Sequence, residues 1–448
     1  MSFASFVSIG FMLFALFFGA GNLIFPAHLG QLSGDNIWLA AAGFLSTGVG
    51  LPLLGVLAMA YSGSDNLQGL ASRVHPIYGL LFTILLYLSI GPFFAAPRTG
   101  TVAYEVGISP FIPESFTSLG LFIFTAVYFL VTLLFALYPA KIVDNIGKIL
   151  APTLFILLGI LLTVAIIKPM GAIGQPEESY VGKSTSFING FLEGYNTMDA
   201  LASLVFGIII IQVVTSLGIK SRKGIFFATA KSGIIATLLL AVIYVGIMYL
   251  GATSVFELGY FDNGGPVLNG VAHYYFGTFG AIILALVIIL ACLTTAIGLM
   301  IANAEYFHTL FPRISYKVFV IIFTTATFII ANFGLNNIIT FSIPVLMFLY
   351  PLAIVLIILA FTSKLFRHAR IVYIIAIGVT FCISMFNGLQ TLTESLGIDD
   401  FFWMKPIVHF YIDVLPLYEA GLGWLLPAAL VIALSIACTF GIRLSERG

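Results

Sequence analysis

Apolar stretches of about twenty residues or more follow one another along nearly the whole chain, separated by short polar connections. At about 1.5 Å per helical residue, each is long enough to cross a hydrocarbon core about 30 Å thick. The pattern predicts twelve helical spans, at about 5–30, 37–61, 76–107, 117–138, 147–168, 187–218, 225–252, 277–304, 316–333, 336–362, 369–388 and 422–441. The third, sixth and eighth are longer than a bilayer needs, which points to tilt or interruption. Ten-residue segments of strict alternation, the mark of a membrane barrel, do not occur. The fold class expected is an all-α polytopic membrane bundle.

Two spans carry polar residues where the pattern should be unbroken. In the middle of span one stands Phe17-Phe18-Gly19-Ala20-Gly21-Asn22-Leu23-Ile24-Phe25-Pro26. Glycine and proline weaken a helix interior by about 1 and 3 kcal/mol relative to alanine. In lipid, the freed N–H and C=O groups must be satisfied by protein, water or ligand. Span six carries Glu193-Gly194-Tyr195-Asn196-Thr197-Met198-Asp199-Ala200-Leu201-Ala202-Ser203, with two carboxylates inside a segment that otherwise crosses lipid. An aspartate at a helix centre costs about 2.5–3.5 kcal/mol on insertion scales. Asp199 reads either as a cap on a restarting helix or as a functional group.

The positions of the two breaks carry more meaning than their composition. Span one opens a first set of five spans, residues 1–168, and span six opens a second set, 187–362. Five is odd, so the sets run in opposite senses through the membrane. Interrupted helices at matching places in two such halves predict an inverted-repeat transporter with its site at the midplane. Residues 369–448 add two further helices and a tail.

Helix-end physics then assigns roles. The inner half of span one ends near Ala15–Phe18 and presents free carbonyls, and a negative dipole end, to a small cation. The outer half restarts between Asn22 and Phe25 and presents N–H groups to a carboxylate. Pro26 is harmless if it falls in that first turn. Gly19 and Gly21 admit a ligand close to the backbone. In span eight, Ala291-Cys292-Leu293-Thr294-Thr295 places two hydroxyls where they either complete a cation shell or bond back to their own helix. Span three carries Gly91-Pro92-Phe93-Phe94-Ala95-Ala96-Pro97-Arg98-Thr99. The prolines predict a kink. Arg98, an intramembrane charge, calls for a carboxylate partner, with Glu193, Asp199 and Glu105 as candidates, or for a substrate contact. Phe93 and Phe94 either wall an apolar pocket or pack. His28, near the outer end of span one, reads as a polar end group or a proton relay.

Charge sets the orientation. With the N-terminus inside, fourteen basic residues lie on the inner side: Arg73, Lys141, Lys148, Lys220, Arg222, Lys223, Lys231, Arg313, Lys317, Lys364, Arg367, Arg370, Arg443 and Arg447. Only Lys168, Lys183 and Lys405 lie outside, so both termini are expected in the cytoplasm. The outer loops 253–276 and 389–421 are expected to carry short interfacial helices, with Tyr260, Tyr274, Tyr275, Phe401, Phe402 and Trp403 in an aromatic belt.

Composition narrows the classes. The 448 residues are 60% hydrophobic and 8% charged, against about 25% charged in soluble domains. The lipid bilayer is therefore the solvent. Net charge is zero and no basic run suggests nucleic acid. Cys292, Cys382 and Cys438 sit in apolar segments and read as buried thiols rather than a disulfide framework. No basic region precedes the first apolar stretch, so no cleavable signal is expected. No zinc-spaced cluster, phosphate loop or nucleophile elbow points to an enzyme, and no feature specifies an oligomeric state.

The span-one, span-three and span-six stretches, extended to Leu204-Val205-Phe206-Gly207, occur in an order that resembles the bacterial branched-chain amino acid:cation symporters, the LIVCS family of BrnQ-type carriers. The resemblance covers nearly the whole chain. It implies the amino acid–polyamine–organocation superfamily and a leucine-transporter-type fold of five plus five spans with two extra helices. It implies import of leucine, isoleucine and valine driven by Na+ or H+, with no other cofactor, in the bacterial inner membrane. By that analogy, the carbonyls of Ala15 and Phe18 with Ala291, Thr294 and Thr295 would hold Na+. Asn22 and Thr197 would serve the fold's second cation site, where span seven offers no asparagine, so one coupling cation is better supported than two.

The expectation is a symporter working by alternating access. Its substrate site comprises Gly19, Ala20, Gly21, Asn22, Phe93, Asn196, Thr197 and Asp199, with Arg98, Glu105 and Glu193 as charge-pair or coupling groups. The carboxylate would meet the N–H groups of Gly19–Asn22 and the ammonium the carbonyls near Asn196–Asp199. An exporter or a carrier of another neutral amino acid is the alternative within transporters. A channel or receptor would need a polar stripe, and an intramembrane enzyme a nucleophile or metal set; neither is visible.

Overall fold

A computed structural model describes residues 3–138, 141–398 and 403–445 of the chain. Phe401, Phe402 and Arg447 lie outside the described residues, as do the side chains of Lys141, Lys148 and Arg443. The described residues form twelve helical passes. Span one is Phe3–Phe17 and Gly21–Ser33. Span two runs over Ile37–Leu45, Ser46–Gly50 and Leu51–Ser62, and span three over Pro76–Leu88, Ser89–Phe93 and Ala95–Gly107. Spans four and five are Thr117–Leu137 and Lys141–Ile167, and span six is Lys183–Glu193, Gly194–Thr197 and Asp199–Ser216. Span seven is Arg222–Leu258, and span eight follows a kink inside Gly264–Leu310. Spans nine to twelve are Tyr316–Ala331, Leu335–Thr362, Arg370–Ser395 and Leu425–Ser445.

The interruptions have local causes. Span three opens a wide turn at Ser89–Phe93, where Gly91 takes φ −91°, ψ −120° and Pro92 supplies no N–H. The length of span eight is a matter of connectivity: Gly277, at φ 63°, separates an outer-loop helix beginning at Gly264 from the span itself. A second outer-loop helix is Lys405–Val414. Tyr260, Tyr274 and Trp403 are exposed on this side, and Tyr275 donates to the Lys168 carbonyl.

Spans one, two, six and seven form an inner group held by backbone-to-backbone approach. A Cβ on Gly30 would fall 2.0 Å from the Met248 carbonyl oxygen, and one on Gly251 would fall 2.1 Å from that of Ala27. These contacts lock span one to span seven. Span two meets span six the same way, through Gly43 against Phe187 O (2.0 Å) and Gly190 against Ala40 O (2.1 Å). Exchanging the first five spans for the second turns one pair into the other. In lipid there is no hydrophobic force between helices, so small residues that admit close packing do the joining. Gly30→Ala and Gly43→Ala are each expected to cost about 1–3 kcal/mol, read as earlier thermal unfolding in detergent, because the obstacle is backbone and cannot rotate away.

One expectation about the cysteines is corrected. Cys292 is buried, but Cys382 and Cys438 are exposed on spans eleven and twelve. In a membrane bundle an apolar solvent surrounds the outer face, so an apolar segment does not imply a buried thiol.

Candidate functional site

The break in span one is built by its own asparagine. The Phe18 N–H still reaches the Phe14 carbonyl at 2.8 Å. The next donor, Gly19 N–H, turns aside to Asn22 Oδ1 at 3.1 Å and leaves the Ala15 carbonyl without its regular partner. The carbonyls of 15–18 therefore form the free C-terminal end of the inner half-helix. Beyond the gap, Leu23 and Ile24 N–H both go to the Ala20 carbonyl (3.3 and 3.4 Å), so the free donors of the outer half are those of Ala20, Gly21 and Asn22. Two details of the sequence reading change. The outer half starts at Gly21, one residue earlier than expected. Pro26 is consequently its sixth residue, past the first turn, and deprives the Asn22 carbonyl of its regular helical donor.

Span six breaks through a short 3-10 turn, Gly194–Thr197, and through Met198, which takes φ 61°, ψ 8°. A left-handed non-glycine residue costs about 1–3 kcal/mol and persists where its surroundings demand it. The helix resumes with Asp199 as its first residue, but the carboxylate does not cap it. Asp199 N–H donates to Thr197 Oγ1 at 3.3 Å, while Asp199 Oδ2 accepts from Asn22 Nδ2 and from the Tyr244 hydroxyl, the latter at 3.3 Å. Asn22 Nδ2 and the Tyr244 oxygen are also in contact. One buried cluster thus joins the breaks of spans one and six to the middle of span seven.

Beside this cluster, toward the Lys183 end of span six, lies a pocket of about 150 Å³ lined by Asn189, Leu192, Glu193, Tyr195, Asn196 and Met347. Asn196 Nδ2 donates to Glu193 Oε2 at 3.1 Å, so both residues belong to this vestibule rather than to the Asp199 cluster. The Tyr195 ring stacks on Tyr350 of span ten (centroids 4.0 Å, planes 18° apart). Tyr350 in turn lies within electrostatic range of Asp199. The stacked pair thus leads from the vestibule lining to the neighbourhood of the buried cluster. Thr197 Oγ1 donates to the Gly194 carbonyl at 2.9 Å and helps shape the turn.

Arg98 departs from its expected pairing. It is 2% exposed and forms no ion pair among the described residues, and its Nη1 has no hydrogen-bond partner. The guanidinium lies over the Phe25 ring, 5.0 Å from the centroid, and 3.4 Å separates its Nη2 from where a Cβ on Gly21 would stand. Asp199 and Glu193 are in electrostatic range but not in contact. The reason is geometric. The span-three kink starts a new helix at Ala95, whose first turn aims Arg98 at the N-terminus of the outer half of span one. Glu105 sits at the other end of that helix, beside Gly265 of the outer-loop helix. Phe93, expected in the pocket wall, is 42% exposed and stands apart from the buried cluster.

In span eight, Thr294 and Thr295 both donate to the Ala291 carbonyl, at 2.8 and 3.1 Å. A hydroxyl that donates backward keeps lone pairs for a cation. Thr295 Cγ2 lies 3.5 Å from a Cβ built on Gly19, so span eight does meet the end of the inner half-helix. His28 lies within electrostatic range of Asp262 near the outer loop. Among the described residues no group of three or more His, Cys, Asp or Glu side chains gathers as a metal site. Sequence reasoning missed Tyr244 and Tyr350. The available signal was a hydroxyl at mid-depth in each otherwise apolar span, because such a group seeks a partner.

The helix arrangement has solved counterparts. An inward-facing Mhp1 superposes with TM-score 0.62 at 16% identity, covering 98% of this chain and 91% of that one. MhsT in complex with L-phenylalanine gives 0.58 at 16% identity, covering 96% and 97%. The fold is the leucine-transporter-type arrangement. Among relatives, the Bacillus subtilis (strain 168) branched-chain amino acid permeases BraB and BrnQ are 48% and 47% identical. They cover 98% and 94% of this chain and 97% and 94% of their own lengths. A Pseudomonas aeruginosa branched-chain amino acid transport system 2 carrier protein is 41% identical over 96% of this chain and 95% of its own. The profile of the family described as branched-chain amino acid transport protein matches residues 2–440, and the chain belongs to that family of multi-pass membrane transporters.

Proposed function

We propose that this protein is a symporter that carries leucine, isoleucine and valine into the bacterial cell, coupled to Na+, by alternating access. The carrying observation is the pair of facing helix ends. Three free N–H groups of Ala20, Gly21 and Asn22 stand beside Arg98, whose Nη1 has no hydrogen-bond partner, and the span-six turn packs against the outer half of span one. That arrangement suits a small zwitterion: the donors take its carboxylate and the carbonyls around Asn196–Asp199 its ammonium. The family and the names of the relatives supply the aliphatic side chain. Residues 1–168 and 187–362 act as the two repeats, with both termini in the cytoplasm and the carrier in the inner membrane.

The cation shell comprises the Ala15 and Phe18 carbonyls with Ala291, Thr294 and Thr295. The diverted Gly19 N–H, which leaves the Ala15 carbonyl free, supports this assignment. Thr294→Ala combined with Thr295→Ala is expected to raise the half-saturating sodium concentration about tenfold or more, a loss of about 1.4 kcal/mol or greater. Labelled leucine uptake into proteoliposomes across a sodium series reads this, and an unchanged sodium dependence overturns the cation assignment. Proton coupling is the second reading, favoured by the buried carboxyl of Asp199 and the half-buried one of Glu193. Uptake that follows an imposed proton gradient and ignores sodium selects it, and uptake indifferent to both gradients rejects symport.

A further inference from the structure

The central site holds a buried guanidinium and a buried carboxyl group that do not touch. Arg98 presents Nη1 with no partner, and Asp199 Oδ2 accepts from both Asn22 and Tyr244. The two groups are in electrostatic range across the span-one break. A lone charge in a low-dielectric interior is costly, and an ion pair between these two would relieve both. They remain apart because each is held elsewhere: Arg98 over the Phe25 ring and beside Gly21, Asp199 by its amide and phenol donors.

Building on the amino acid reading above, we propose that Arg98 and Asp199 are the two jaws of a side-chain clamp for the zwitterionic head group. Arg98, with the N–H groups of Ala20–Asn22, takes the carboxylate, and the Asp199 carboxylate takes the ammonium. Arginine suits the first role because its planar fork grips a carboxylate through two parallel bonds, and the Phe25 ring holds it in place by a cation–π contact. Asn22 and Tyr244 are positioning residues that fix the Asp199 carboxylate through Oδ2. A zwitterion satisfies both charges, whereas an amine or an acid with the same aliphatic chain leaves one jaw bare. The clamp therefore makes the α-amino acid head group itself a specificity determinant.

The test is competition against labelled leucine in proteoliposomes holding the full chain, with 3-methylbutylamine (no carboxylate) and 4-methylpentanoate (no ammonium). In the unaltered carrier each analogue is expected to bind about 30-fold or more weaker than leucine, the scale of unpairing a buried charge. Arg98→Gln should weaken leucine by about the same factor while leaving 3-methylbutylamine within about threefold, so the preference between them collapses. Asp199→Asn should do the same for 4-methylpentanoate. Arg98→Lys, which keeps the charge and loses the fork, should fall between. Thermal stabilisation of the unaltered protein by the three compounds gives the same ranking independently of how the variants fold. The clamp is overturned if either analogue stabilises or competes within about threefold of leucine. It is also overturned if Arg98→Gln lowers uptake yet leaves the ranking unchanged, as a purely structural arginine would. Failure of the unaltered carrier to take up leucine at all would instead overturn the functional reading.

Discussion

Asp199→Ala is expected to lower leucine uptake about 100-fold or more, the largest effect of any single substitution in the buried cluster. The change removes the acceptor shared by Asn22 and Tyr244. Truncating one partner of a buried, hydrogen-bonded charge costs about 2–5 kcal/mol, much of it from the groups left unpaired. Here those groups are the Asn22 amide and the Tyr244 phenol, with Arg98 losing a compensating charge nearby. Asn22 also shapes the span-one break through Gly19 N–H. Disturbing Asp199 thus acts on both helix breaks at once. Initial-rate uptake with matched amounts of reconstituted protein measures it. Uptake within threefold of the unaltered carrier would remove the cluster from the transport cycle.

Tyr350→Ala is expected to open the outer side of the site. Tyr195 lines the vestibule beside Glu193 and stacks on Tyr350, which is fully buried and within electrostatic range of Asp199. Deleting a buried aromatic ring leaves a cavity at a cost of about 3–5 kcal/mol. In this position the cavity joins the vestibule to the buried site. Bound leucine should then leave toward the outside about tenfold faster or more, and steady-state accumulation should fall although initial binding persists. Tyr350→Phe keeps the ring and should retain most of the accumulation. Equal loss in the alanine and phenylalanine variants would mean that the ring stack does not seal the site.

Much of this was legible from one dimension. The breaks at Gly19–Asn22 and Asn196–Asp199 showed because lipid enforces a simple rule, that backbone groups pair within their own helix unless something else satisfies them. Any glycine, proline or carboxylate at mid-span is then conspicuous. Arg98 was conspicuous for the same reason, but its surroundings were not. A lone charge announces that it must be stabilised without saying by what. The expected ion pair gave way to a ring face and a helix N-terminus, because the span-three kink aims the side chain there. Phe93 was placed by its neighbours in sequence, yet it is exposed while Arg98, five residues on, is buried. A wide turn and a kink rotate the helix face between them, and helical periodicity cannot be carried across such a change.

From the sequence came the solvent, the number of passes, the two interruptions and the family, since each rests on hydropathy, local backbone chemistry or ordered motifs. Only the tertiary structure decided that Tyr244 and Tyr350 belong to the site, that Glu193 and Asn196 face the vestibule, and that Asp199 is held from spans one and seven. These are contacts between helices far apart in the chain, and their rotation about their own axes is set by close glycine packing against neighbours. The same packing brings Arg98 and Asp199 within electrostatic range of each other without letting them meet.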